Sequence, residues 1–236
     1  MTTVGAELAS GGVLRASINL GNPVLAQGTV EAPGGVTVDI ARELARRLGV
    51  ELELVCFDAA RKSFEAMTTG QADLCFLAID PARATEVAFT APYVVIEGVF
   101  AVPRDSGLTT VAEVDAPGVR IGVKQGSAYD LYLTRTLQQA TVVRGAEGVD
   151  VFRDEGLEVA AGIRQPITRY VAEHPELRLI DERFMQIQQA VGTAKSKHPD
   201  TVAYLHDLIE DLKSSGFIAA SLAASGQADA TVAPPA

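Results

Sequence analysis

The sequence predicts an α/β protein of two lobes, each a mainly parallel sheet flanked by helices, joined by two crossover strands. Three observations carry this. Strand and helix patterns alternate from the start of the chain, which favours parallel sheets with right-handed crossovers. An apolar, β-branched run from Val94 to Val102 then leads into a second alternating set. A further run, Phe184 to Val191, returns toward two final helices. The expected organisation is a discontinuous lobe 1 (1–100 and 193–226), an inserted lobe 2 (101–192) and a flexible tail (227–236). At 236 residues the chain is long enough for two cores.

In lobe 1, Val13 to Ile18 reads as a strand. The Gly34-Gly35 turn leads into Val36 to Leu48, where Ile40, Leu44 and Leu48 recur every four residues and predict an amphipathic helix, with Gly49 placed to end it. Glu51 to Phe57 reads as a strand, and Asp58 is placed to cap a helix holding Phe64 and Met67. Gly70 ends that helix and Ala72 to Ile79 is the next strand. In lobe 2, strands are expected at Val119 to Val123, Thr141 to Arg144 and Val159 to Ile163. The helices between and after them are Ser127 to Gln138, Asp150 to Glu155 and Gln165 to His174. Helices Pro199 to Ser214 and Gly216 to Ala224 would pack back on lobe 1. No repeat period is visible, and the polar, Pro-ended stretch from Gln227 reads as the tail.

Thirty acidic against twenty basic residues give a net charge of −10. That balance argues against nucleic acid, which needs a basic face, and against an anionic membrane surface. No apolar run is long enough to span a bilayer. Met1 to Gly12 has neither the basic nor the apolar region of a signal peptide, so the chain reads as cytoplasmic as written, or extracytoplasmic if a leader was removed. Cys56 and Cys75 lie in strand-like runs and read as core thiols. His174, His198 and His206 have no nucleophile partner pattern, and no triad, metal spacing or phosphate loop appears. No catalytic residue, metal or cofactor is therefore expected.

Several segments carry a resemblance in order: "GVLRASINLGNP", "GGVTVDIARELARRLGVELELV", "TTGQADL", "PARATEVAFTAPY" and "VRIGVKQGSAYDLYL". Together they resemble the type II periplasmic binding-protein fold. More specifically, they resemble the amino-acid-type substrate-binding proteins of ABC transporters (bacterial extracellular solute-binding family 3). The resemblance covers nearly the whole chain apart from the tail. It implies a monomeric receptor that closes over a small polar, carboxylate-bearing ligand and hands it to a transporter permease.

The candidate ligand residues follow. Arg83 comes just after the third strand of lobe 1, at the carboxyl end where α/β sheets bind ligands. Its guanidinium can hold a carboxylate through two charge-assisted hydrogen bonds; the alternative is a surface arginine pairing Glu86. In the family, the matching arginine grips the ligand carboxylate. Ser127, after Gly126, opens a helix with Asp130 three residues on, so it can cap the helix and also help present N–H groups to an anion. Asn19 and Asn22 follow the first strand, where the family lines its cleft, though a plain turn role beside Gly21 and Pro23 serves as well. Glu97, alone in an apolar run, must be paired or exposed to a cleft. Gln188 and Gln189 on the returning crossover are similar candidates.

Two departures from the family stand out. In "FLAIDPAR" the loop before Arg83 is shorter than usual, and Ala78 stands where a hydroxyl is usual, which thins the carboxylate grip. In "GLEVAAGIRQPI", Arg164 falls where the family has an acid that pairs with the ligand's α-ammonium. An arginine there would attract a second anionic group instead, unless a one-residue slip leaves Arg164 on the surface. Some relatives of this fold are cyclohexadienyl dehydratases, which need a desolvated general acid; a soluble ligand sensor is a third reading.

Overall fold

The computed structural model describes residues 3–236. The chain divides into two compact units, Met1–Val95 with Gln188–Ala236, and Ile96–Ile187. Both boundaries lie five residues earlier than the sequence reading put them, at 95 rather than 100 and at 187 rather than 192.

The first unit opens with α1 (Thr3–Leu8), which the sequence reading left unassigned, and β1 (Val13–Asn19). A short hairpin, β2 (Gln27–Gly28) and β3 (Pro33–Gly34), precedes α2 (Val36–Leu48). Ile40, Leu44 and Leu48 form the buried stripe of α2. Gly49 ends the helix at φ 67°, a left-handed conformation that costs glycine little. Next come β4 (Glu51–Phe57), α3 (Ala60–Thr68) and β5 (Leu74–Ala78), all five residues of β5 being buried. A 3-10 turn, Arg83–Thr85, leads into β6 (Val87–Pro103). Asp58 does not cap α3: Ala59 holds that position without a side-chain bond, and the Asp58 carboxylate pairs with Lys62 at 2.8 Å.

Unit 2 continues with α4 (Val111–Val114), β7 (Arg120–Lys124), α5 (Ala128–Thr136), β8 (Thr141–Gly145), α6 (Gly148–Asp154), β9 (Val159–Ile163) and α7 (Arg164–Glu173). The chain returns along β10 (Leu177–Ala194) to α8 (Pro199–Ser214), α9 (Phe217–Ala224) and β11 (Thr231–Val232) in unit 1. The crossover strands are longer than the apolar runs that announced them, because β6 already begins at Val87 and β10 carries the charged stretch Asp181–Arg183.

The strand layout of unit 1 recurs in unit 2. In unit 1, β1 lies between β4 and β5, parallel to both, and β10 adds antiparallel to β5. In unit 2, β7 lies between β8 and β9, parallel to both, and β6 adds antiparallel to β9. Each unit has its own apolar core, with Met67, Cys75, Leu77 and Val87 in one and Val99, Val151, Phe152, Ala160 and Ile167 in the other. Cys75 is fully buried and Cys56 half-buried, and both are free thiols. Burial pushes the Cys75 thiol up to about 12, so it stays protonated and inert.

The repetition reaches side chains. On β1, Arg15 gives its backbone N–H (2.9 Å) and its guanidinium (2.8 and 3.0 Å) to Asp73, just before β5. A further guanidinium bond goes to the Gly70 carbonyl at 2.8 Å. On β7, Arg120 treats Glu158, just before β9, in the same way (2.8, 3.0 and 2.8 Å), with a further bond to the Gly156 carbonyl. Each clamp ties the amino end of a central strand to the turn that feeds its neighbour. The sequence shows no period because the acids differ and the intervening segments differ in length.

Residues 227–236 are packed rather than loose, which corrects the expected tail. β11 pairs antiparallel with Val94 and Val95, Ala230 and Ala233 are buried, and the Lys213 ammonium donates to the Pro234 carbonyl at 2.8 Å. The small, apolar Ala and Val residues fit against an open strand edge, which composition alone does not reveal.

Two stability outcomes follow. Asp73→Ala should destabilise by about 2 kcal/mol, since three donors lose a mostly buried acceptor. The more exposed Glu158→Ala should cost less than about 1 kcal/mol. Urea midpoints at unchanged slope would check this order, and a larger loss for Glu158→Ala would contradict it. Removing residues 230–236 should lower the melting temperature by a few degrees, as read by calorimetry; an unchanged value would mean that the β11 pairing adds nothing.

Candidate ligand-binding site

Parallel pairing sends the carboxyl ends of β1, β4 and β5 to one edge of unit 1, the edge at which open α/β sheets present ligand groups. Asn19 ends β1, and its side-chain oxygen accepts the Gly21 N–H at 3.1 Å. Asn22 is buried and accepts the Val24 N–H at 3.3 Å. Both therefore build the turn, with amide nitrogens left to donate.

Ala78 ends β5, in register with the buried Gln189 of β10. Its carbonyl accepts a hydrogen bond from Arg83 Nη1 at 3.2 Å. Arg83 is only 3% exposed, which overturns the alternative of a surface arginine pairing Glu86. Burial pushes the Arg83 guanidinium below its ordinary value, while the nearby carboxylate of Asp80 works the other way. Asp80 is itself buried, and it accepts the Ala82 N–H at 2.8 Å, folding the short loop that carries Arg83. The sequence reading passed over Asp80. The available signal was an acid standing in the loop where hydroxyl residues were expected. Gln188 lies on the same strand as Gln189, and its carbonyl accepts the Ile79 N–H at 2.9 Å.

In unit 2 the carboxyl ends of β7, β8 and β9 share one edge in the same way. Ser127 caps α5, its hydroxyl accepting the Asp130 N–H at 3.1 Å. The Asp130 carboxylate accepts the Gly126 N–H at 2.8 Å and bonds Arg144 at 3.0 Å. Ser127 N–H donates to the Lys124 carbonyl at 3.1 Å. The N–H groups of Gly126 and Ser127 are thus engaged within the chain. Helix geometry leaves the N–H groups of Ala128 and Tyr129 without an intrahelical acceptor.

Arg164 opens α7 directly after β9, and Glu97 lies opposite on β6, next to the paired Gly98–Ile163. Arg164 Nε donates to Glu97 at 2.5 Å and its Nη2 to the Asp181 carbonyl at 2.9 Å. Arg183 on β10 donates to the other Glu97 oxygen at 2.9 Å. Hydrogen bonding from Arg183 first, and then from Arg164, holds the Glu97 carboxyl below its ordinary range against the opposing effect of burial. Gly98 leaves room beside this cluster: a side chain there would meet Phe184 and Met185 at 2.8 Å, and Phe184 instead stacks on Phe100 with centroids 4.2 Å apart. The sequence reading named Glu97 and Arg164 separately but not as a pair, and it missed Arg183. Residues 67 and 86 positions apart give no sequence signal of contact.

Solved structures with this fold come from several sources. Cysteine-binding protein from Campylobacter jejuni superposes with a TM-score of 0.80 at 18% identity, covering 98% of this chain and 99% of that one. A mutant of ArgBP from T. maritima gives 0.78 at 22% identity, covering 95% and 99%. An ancestral amino acid-binding protein, a precursor of cyclohexadienyl dehydratase, gives 0.74 at 19% identity, covering 94% and 97%. These likenesses show the type II periplasmic-binding fold. No curated relative matches the sequence. Residues 22–224 match the bacterial extracellular solute-binding proteins, family 3, and the chain belongs to that family.

Proposed function

We propose that this protein is a solute receptor for ABC-type transport that binds a small carboxylate-bearing ligand, amino-acid-like or an organic acid, between its two units. The observation that carries the reading is the buried Arg83 at the carboxyl end of β5, in a chain of this family. A guanidinium presents five donors in a plane, so a ligand carboxylate can share it with Ala78 and Asp80. From unit 2, the first turn of α5 after Ser127 faces the ligand with its backbone dipole. β6 and β10 serve as the hinge strands, and a ligand that touches both units shifts the population toward the closed state. The protein acts as a monomer and delivers the solute to a membrane permease.

The dehydratase reading fares worse. Its general acid would have to be protonated near neutral pH. Glu97, the one acid set in an apolar strand run, is held ionised by two arginines.

A thermal-shift panel of amino acids and mono- and dicarboxylates tests the proposal, because a ligand of the native state raises the melting temperature. Arg83→Ala should weaken binding of whichever carboxylate is active by about ten- to a hundredfold; unchanged affinity would remove Arg83 from the site. The Glu97 carboxylate also has a pH signature. Its folded pKa lies below the unfolded value, so its stabilisation is complete above the ordinary glutamate pKa of 4.5 and is lost as pH falls through the lowered value. The melting-temperature advantage of wild type over Glu97→Gln should accordingly shrink below about pH 4.5. An advantage independent of pH would show that charge plays no part.

A further inference from the structure

The returning strand β10 places a buried amide beside the residue that anchors Arg83. Ile79 N–H donates to the Gln188 carbonyl at 2.9 Å, which makes these two the hydrogen-bonded pair at the end of the antiparallel β5–β10 ladder. The next pair inward, Ala78 and Gln189, is therefore a non-hydrogen-bonded one. Facing side chains stand closest in such a pair, and the carbonyls turn away from the partner strand. The Ala78 carbonyl, so turned, accepts Arg83 Nη1 at 3.2 Å. On the sheet face Gln189 stands opposite the Ala78 methyl, and the two are 5% and 3% exposed. Gln188, on the other face, is exposed. A buried amide ordinarily has its hydrogen bonds made. Among the described residues the Gln189 side chain makes none, and the methyl across from it offers no polar group.

We propose that Gln189 is a ligand-binding residue whose amide nitrogen donates to the carboxylate that Arg83 holds. The proposal rests on the carboxylate-receptor reading above and adds a contact from the same unit, since Ala78, Arg83 and Gln189 all belong to it. An ionised carboxylate offers about four lone-pair sites, so two bonds from a guanidinium leave sites for an amide. A bond from a neutral donor to a charged acceptor is also stronger than one to a neutral acceptor. In the free protein the amide is withdrawn from water without a partner, which destabilises the fold, and the bound carboxylate removes that deficit. Gln189 thus tightens binding while weakening the unliganded state.

Gln189→Met, which keeps the length and shape of the side chain, separates this role from a structural one. Replacing an unpartnered buried amide with an apolar group of its shape does not harm the fold. The unliganded variant should therefore melt at or above the wild-type temperature. Titration calorimetry of wild type against the standard L-amino acids and the mono- and dicarboxylates from acetate to adipate identifies the tightest-binding compound. That compound should bind Gln189→Met about tenfold more weakly. Gln189→Glu, which turns a second carboxylate toward the ligand, should lose more still. Unaltered affinity in Gln189→Met overturns the proposal, as does a loss that comes only with a lowered melting temperature or a failure to fold. Binding that requires Arg83 but not Gln189 leaves the receptor reading standing without this contact. Binding of none of these compounds overturns both.

Discussion

The hydrogen-bonded ladder that sets β1 between β4 and β5, and β7 between β8 and β9, decides where each candidate ligand contact can stand. Three parallel strands point their carboxyl ends the same way, so the segments that follow them converge on one edge. The loop carrying Asp80 and Arg83, the Asn19–Asn22 turn, the Ser127 cap and the start of α7 at Arg164 all occupy such edges.

Charge is divided between the two ends of each sheet. The amino ends carry the Arg15–Asp73 and Arg120–Glu158 clamps, which bind a backbone N–H as well as a guanidinium and so fix strand position as much as they add stability. The more exposed Arg120–Glu158 pair contributes little by its charge alone. The use of both clamps is geometric: they tether the turn that delivers β5 or β9 into the sheet. The carboxyl ends carry groups whose partners are incomplete or shared, such as Arg183 and Glu97, and such groups have reason to respond to a ligand.

Much of the fold was legible because local signals agreed. The Ile40, Leu44 and Leu48 stripe with Gly49 behind it specifies α2 from end to end, and the apolar run of β5 could only be a buried strand. The misjudged places are those where long-range packing decides. The C-terminal segment looks polar and loose in sequence, yet β11 finds the free edge of β6. Asp58 has the chemistry of a cap, but Ala59 takes the cap position and the Asp58 carboxylate pairs with Lys62. At the site, Arg83 was identifiable by its place after β5, whereas its burial with Asp80 was not. The sharing of Glu97 between Arg164 and Arg183 depends on three elements, β6, α7 and β10, meeting in space.

The central claim is that one ligand engages both carboxyl-end clusters. Amide hydrogen exchange, measured with and without a saturating carboxylate, reads this directly because ligand contact slows local opening. Added protection in both the Ala78–Thr85 loop and the Gly126–Tyr129 turn is the expected result. Protection confined to one of these segments, or found only elsewhere, would contradict a ligand held by both units.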